Sequence, residues 1–234
     1  MSLAPYQHWP GKIPHVTFFE DFLSDLNTTA WSGTAASSGT GAVSDSVPDG
    51  VLRLSGAATT DDSGYQIQQS SEVIAFQAGF RYHFQARVRL GNTSSTGDTV
   101  TQSDFLFGVA VTDTSLIASK PTDGVYFLKD DGAATISCIV RRDSSDVASA
   151  AAVATLVEAT WYDLAIEVVP SKASGAVATV NFYIDRALVA SLSTTTLPYE
   201  AEEYHALSVA FFSGDNSGTR WCDIDYIAGD WRRT

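Results

Sequence analysis

Between positions 80 and 90 the side chains alternate without a break, with Tyr82, Phe84, Ala86, Val88 and Leu90 on one side and Arg81, His83, Gln85, Arg87 and Arg89 on the other. An extended chain sends successive side chains to opposite faces, so a strict period of two predicts a strand with one buried and one wet face. Shorter runs of the same kind recur, parted by clusters of Gly, Ser, Thr, Asp and Asn. They predict strands at 16–19, 51–55, 65–69, 80–90, 105–112, 124–129, 135–142, 153–156, 161–169, 178–184, 188–192, 206–212 and 220–227. So many strands exceed a small barrel. In the last run, Cys222, Ile224, Tyr226 and Ala228 are expected on one face, and Trp221, Asp223, Asp225 and Ile227 on the other, mixed face.

Helix has little place in this pattern. The stretch 22–27 is long enough for one turn, and the Ala-rich stretch 147–154 has helix propensity, but neither carries an apolar stripe. The second reads as a turn at Ser144, Ser145 and Asp146 followed by the strand at 153–156. The polar stretches 32–41 and 91–103 read as loops at the sandwich edges, and 184–188 as a short hairpin loop that makes its flanking strands antiparallel neighbours. The first fifteen residues hold Pro5, Pro10 and Pro14 among aromatic side chains and read as an extended arm, with one domain over 16–234. On that arm Tyr6, His8, Trp9 and Ile13 are the candidate partner-binding residues against a neighbouring subunit, the alternative being a frayed terminus or an arm folded back on its own sandwich.

Composition narrows the function. The 234 residues are 44% hydrophobic and 18% charged, which excludes a disordered chain, and the net charge of −13 excludes phosphate-driven nucleic-acid binding. No apolar run is long enough to span a membrane, and no secretory leader is expected. Cys138 and Cys222 have no second ligand at metal spacing and read as buried free thiols. No metal and no cofactor are expected. The acidic pairs Asp61-Asp62, Asp130-Asp131 and Asp215-Asn216 lack the spacing of a calcium loop, and Asp130-Asp131-Gly132 reads as a hairpin turn.

Catalytic patterns are missing as well. A glycosidase strand of the form Glu-x-Asp-x-x-Glu is absent, and the nearest carboxylate pairs, Asp223 with Asp225 and Glu20 with Asp21, read as solvent-face charges. No nucleophile elbow, phosphate loop or dinucleotide fingerprint occurs, and His8, His15, His83 and His205 stand alone. The chain is therefore expected not to be an enzyme. Carbohydrate binding needs exposed aromatic faces, and among the five tryptophans Trp221 and Trp231 are the candidate platform. Trp161 reads as core and Trp31 as cover for a sandwich end.

The run Trp161…Ile166-Glu167, then Phe182-Tyr183-Ile184-Asp185-Arg186-Ala187-Leu188-Val189, then Asp225-Tyr226-Ile227 resembles the concanavalin A-like (laminin G-like) jelly roll, with Arg186 where that family has Gly. The resemblance implies an all-β fold, a two-sheet antiparallel β-sandwich. With Val51-Leu52-Arg53-Leu54-Ser55-Gly56 and the runs 104–113 and 123–132, the stretch 43–227 is similar to jelly-roll structural proteins of tailed bacteriophages. That likeness implies a virion role: a capsid decoration protein made in the host cytoplasm, bound outside a phage head to its major capsid protein through the jelly roll and the arm. It also implies a homo-oligomer, with a trimer matching a lattice axis. The alternative is a lectin-like module for host-surface or other glycans. In the laminarinase-like hydrolases of this fold the carboxylate strand is diagnostic, and its absence argues against their activity.

Overall fold

The computed structural model describes residues 15–23, 26–44, 50–92, 100–171, 177–197, 203–215 and 218–233. Fifteen strands, numbered in chain order, form two antiparallel sheets. The first sheet runs β13 (Ala187–Thr194), β12 (Ala178–Ile184), β11 (Trp161–Val169), β6 (Phe80–Asn92), β15 (Arg220–Arg233), β4 (Val51–Ser55) and β3 (Thr40–Ser44). Its eighth strand, β1 (His15–Glu20), pairs with the C-terminal half of β15. The second sheet runs β10 (Ser145–Thr155), β9 (Thr135–Arg142), β8 (Gly124–Lys129), β7 (Ser103–Ala110), β14 (Ala206–Ser213), β5 (Ser63–Gln69) and β2 (Trp31–Ala36).

The alternation predicted for β6 is present: Tyr82, Phe84, Ala86, Val88 and Leu90 are buried in the core between the sheets. They meet Phe105, Phe107, Phe127, Val209 and Phe211 of the second sheet, and the rings of Phe127 and Phe182 touch edge to face at 5.1 Å across the layer. Each such side chain contributes about 1.5–3 kcal/mol of transfer free energy. Cys138 and Cys222 sit in this core as free thiols, and burial pushes the Cys138 thiol up to about 12.

Three sequence expectations change. The stretch 32–41, read as a loop, supplies β2 and the start of β3. Gly33 and Gly41 are strand residues, and the Tyr65 ring lies over both, where a Cβ would collide with it. The Ala-rich stretch is neither helix nor turn: β10 begins at Ser145, eight residues before the expected strand, and takes up two register shifts against β9. Ala152, at φ 52°, lies inside the second of these irregularities. In β15 a register shift between Ile224 and Tyr226 makes Asp225 an extra residue. Beyond it the faces exchange, so Ile227 and Trp231 pack inward while Tyr226 and Ala228 turn outward, the reverse of strict alternation. Residues 22–23 and 26–27 are not helical, and Phe22 is buried in the core. The expected loop at 91–103 falls largely on residues outside those described. The hairpin at 184–188 turns as expected through Asp185 and Arg186, both at positive φ.

The two outer faces differ. On the second sheet, Leu106, Tyr126, Leu128, Ile139 and Phe212 form an apolar outer cluster roofed by Leu116 from the segment 111–123. Two glutamines pin that segment. The Gln66 side chain donates to the Asp113 carbonyl (2.6 Å) and accepts from the Leu116 amide (2.9 Å). Gln68 donates to the Val111 carbonyl (3.2 Å) and accepts from the Asp113 amide (2.9 Å). This face is closed, and the outer face of the first sheet is the open one.

His205, fully buried, faces the Ile74 carbonyl through Nδ1 at 3.2 Å and packs on Phe76. Burial lowers its pKa below the ordinary 6.5. A lowered imidazole leaves the unfolded chain holding more protons, so stability falls as pH drops below 6.5 toward the folded value. Buried Asp104, pushed up to about 6, acts in the opposite sense between 3.8 and 6. The effect of His205 is therefore read by difference: His205→Phe is expected to shrink the drop in urea midpoint between neutral pH and about pH 5.5.

Candidate functional site

The antiparallel register sets the outward side chains of the first sheet in rows across the strands. One row runs Thr17, Asp230, His83, Glu167, Asn181 and Ser191, from β1 to β13. The next runs Phe19, Ala228, Gln85, Ala165, Tyr183 and Leu188. A third holds Tyr226, Arg87 and Asp163, and a fourth Arg53, Asp223, Arg89 and Trp161. Ala228 and Ala165 are short beside their neighbours, so the second row sinks into a trough with an aromatic ring at each end.

That trough is a cavity of 670 Å³ lined by Phe19, Tyr226 and Tyr183 together with His83, Asp163 and Glu167. It shares His83, Gln85, Glu167 and Ala228 with a cavity of 240 Å³ that reaches Arg81 and Arg232. At its other side it shares Asp163 and Tyr226 with one of 280 Å³ that reaches Trp161. The three cavities are neighbours on one face.

Its polar groups are held in place. Glu167 pairs with Arg81 at 3.1 Å and accepts from the Asn181 side-chain amide at 2.9 Å, which in turn accepts from the Ser191 hydroxyl at 2.8 Å. The Tyr226 hydroxyl donates to Asp163 at 3.3 Å and accepts from Gln85 at 2.5 Å, and burial raises its pKa to about 12. The rings of Phe19 and Tyr226 stack at 5.9 Å, and Phe19 is 43% exposed. Burial lowers the pKa of His83 against the opposing pull of Asp230 and Glu167, so its imidazole is neutral at pH 7.

Beside the trough, Asp223 is an outward-facing carboxylate with no solvent exposure. Arg53 grips it through two nitrogens, at 2.7 and 3.0 Å, and Arg89 through one at 2.6 Å. The guanidinium of Arg53 lies 4.2 Å over the Trp221 ring; that of Arg89 lies 5.2 Å from Trp221 and 4.7 Å from Trp161, and that of Arg87 5.2 Å from Trp161. Arginines and indoles thus alternate in a ladder over four strands.

The expected tryptophan platform is corrected by this arrangement. Trp221 is only 8% exposed, locked in the ladder, and Trp231 packs inward because of the bulge at Asp225. Trp161 is not core but a half-buried member of the ladder, and Trp31, at 1% exposure, lies within the core against Phe18 and Phe22. The arm residues Tyr6, His8, Trp9 and Ile13 lie outside the described residues. The trough residues Phe19, Asp163, Glu167 and Tyr183 went unrecognised, although alternation along 161–169 already sets Trp161, Asp163 and Glu167 on one wet face. Among the described residues no cluster of His, Cys, Asp and Glu is placed to hold a metal. Asp130 to Gly132 form the β8–β9 turn, with Gly132 at φ 77°.

No family model and no curated protein matches the chain. Solved structures do. An endo-1,3-beta-glucanase from Streptomyces sioyaensis superposes with a TM-score of 0.65 at 13% identity, covering 97% of this chain and 99% of its own. Peanut lectin gives 0.59 at 11% identity over 94% and 99%, and the carbohydrate recognition domain of Emp46p 0.59 at 10% over 90% and 94%. The fold is the concanavalin A-like jelly roll shared by these proteins.

Removing Asp223 leaves two arginines facing each other. Breaking a buried pair costs about 3–5 kcal/mol, and the water contact that both arginines keep sets the expectation near the lower end. Chemical denaturation of Asp223→Ala is expected to show a loss of about 3 kcal/mol, against about 1 kcal/mol or less for the more exposed Asp225→Ala.

Proposed function

We propose that this chain is a non-enzymatic carbohydrate-binding module that holds a glycan in the trough on the outer face of its first sheet. The observation that carries this reading is a groove with an aromatic ring at each end, Phe19 stacked on Tyr226 and Tyr183 opposite, between walls of fixed hydrogen-bonding groups. A pyranose ring has apolar C–H faces and a rim of hydroxyls, so it needs rings to lie against and oriented acceptors and donors at its edge. Asp163, Glu167, Gln85 and the neutral imidazole of His83 supply the second requirement. The structural likeness to peanut lectin and to the Emp46p carbohydrate recognition domain supports the reading at the level of the fold.

The same geometry speaks against hydrolysis. The trough carboxylates are met by Arg81, Arg87, Asn181 and Tyr226, whereas an acid that protonates a leaving group needs an apolar wall. The virion-decoration role rests on the sequence likeness over 43–227, with binding through both the jelly roll and the arm, of which the arm lies outside the described residues, and the structural neighbours favour the glycan alternative. A virion is one setting in which such a module would serve.

A glycan array followed by calorimetric titration tests the proposal. Wild type is expected to bind at least one glycan, with Phe19→Ala and Tyr183→Ala about tenfold weaker, as the loss of about 1.4 kcal/mol of stacking implies, and inward-facing Trp231→Phe unchanged. An array without a hit for the wild type overturns it.

A further inference from the structure

We infer that the trough takes an uncharged, linear chain of several sugar rings lying across the strands, not a single terminal sugar and not an acidic glycan; this rests on the carbohydrate-binding reading above.

Length comes first. From Phe19 on β1 to Tyr183 on β12 the floor crosses β15, β6 and β11, four strand spacings or roughly 19 Å. The cavities of 240 and 280 Å³ flank this floor along the strand direction and share lining residues with it, which adds width beside the long axis. Aromatic groups at both ends, with the short side chains of Ala228 and Ala165 between them, suit a ligand that contacts each ring with a different part of itself.

Charge comes second. The outward arginines of this face are Arg53, Arg81, Arg87, Arg89, Arg186 and Arg232, and its carboxylates are Asp163, Glu167, Asp185, Asp223, Asp225 and Asp230. The two sets balance, so the net charge of −13 resides on the rest of the molecule. Within the face, Arg81 is engaged by Glu167, Arg87 by Asp225, and Arg53 and Arg89 by Asp223. An acidic polymer would meet a repelling body and a floor whose four guanidinium groups, those of Arg53, Arg81, Arg87 and Arg89, are already paired, with only Arg186 and Arg232 at the margins outside those ion pairs. A neutral chain meets hydrogen-bonding groups and rings, which is what the trough offers.

The test uses the full-length protein and calorimetric titration with cello-, laminari-, xylo- and manno-oligosaccharides from the monosaccharide to the hexasaccharide, with hexagalacturonate as the acidic probe. The expected result is a neutral series whose affinity rises at least about tenfold from monosaccharide to hexasaccharide and barely changes between low and physiological salt, with hexagalacturonate unbound. Ala165→Trp, which adds a ring to the outer face without touching the core, blocks the middle of the trough and is expected to abolish hexasaccharide binding while leaving the thermal midpoint in place. A monosaccharide bound as tightly as its hexasaccharide, or salt-sensitive binding of hexagalacturonate, overturns this inference and leaves the carbohydrate-binding reading standing. Absence of binding by every probe likewise overturns this inference, and an array without a hit is what overturns the carbohydrate-binding reading.

Discussion

The pairing of β6 with β15 is the constraint on which both faces of the first sheet depend. These are the two longest strands, they lie side by side at its centre, and each contributes one edge to the core and the other to the open face. Phe84, Val88, Ile224 and Ile227 point inward from them; His83, Gln85, Tyr226 and Ala228 point outward into the trough. A register slip of one residue would exchange these sets, placing imidazole and amide groups in the core. The one irregularity tolerated, at Asp225, has a consequence of its own: it brings the Tyr226 ring out beside Phe19 and turns Trp231 in. Bulges re-aim side chains in this way next to functional surfaces.

Electrostatics on that face follow from the same pairing. Asp223 and Arg89 are direct partners across β15 and β6, and Arg53 is the partner of Asp223 across β4. A carboxylate with no water contact is unfavourable unless its hydrogen-bonding capacity is filled, and three guanidinium nitrogens fill it. The indoles of Trp221 and Trp161 then cover the planar faces of those guanidinium groups, so Trp221 is locked in the ladder and Trp161 stays half-buried at the wall of the 280 Å³ cavity. The aromatic rings at the trough itself are those of Phe19, Tyr183 and Tyr226.

The second sheet offers a contrast. Its outer face is apolar, and the segment 111–123 closes it through Leu116 and the two glutamine clamps. Two sheets of one sandwich thus solve the problem of an outer face differently, one with its own loop and one with ion pairs and hydrogen-bonded polar groups.

Much of the fold was legible in the residues. Period-two alternation located β6, β11 and β12 because strand geometry acts on nearest neighbours, and buried thiols at Cys138 and Cys222 followed from the absence of metal-ligand partners near them in the chain. What the chain order conceals is which strands lie together. β2 and β3 looked like loop because their small residues have meaning only under the Tyr65 ring, and the Ala-rich β10 takes its form from its partner β9. The trough draws on β1, β6, β11, β12 and β15, spread over more than two hundred positions, and no local spacing joins Phe19 to Tyr183 or Arg53 to Asp223. The sequence by itself determined a chain of antiparallel-prone strands, several with one buried and one wet side, because that depends on alternation and turn chemistry, while the two-sheet sandwich came from the resemblance of 161–227 to the jelly roll. Only the tertiary structure decided which wet face stays open and where its rings stand, because cross-strand register and the bulge at Asp225 are set by pairing between segments distant in the chain.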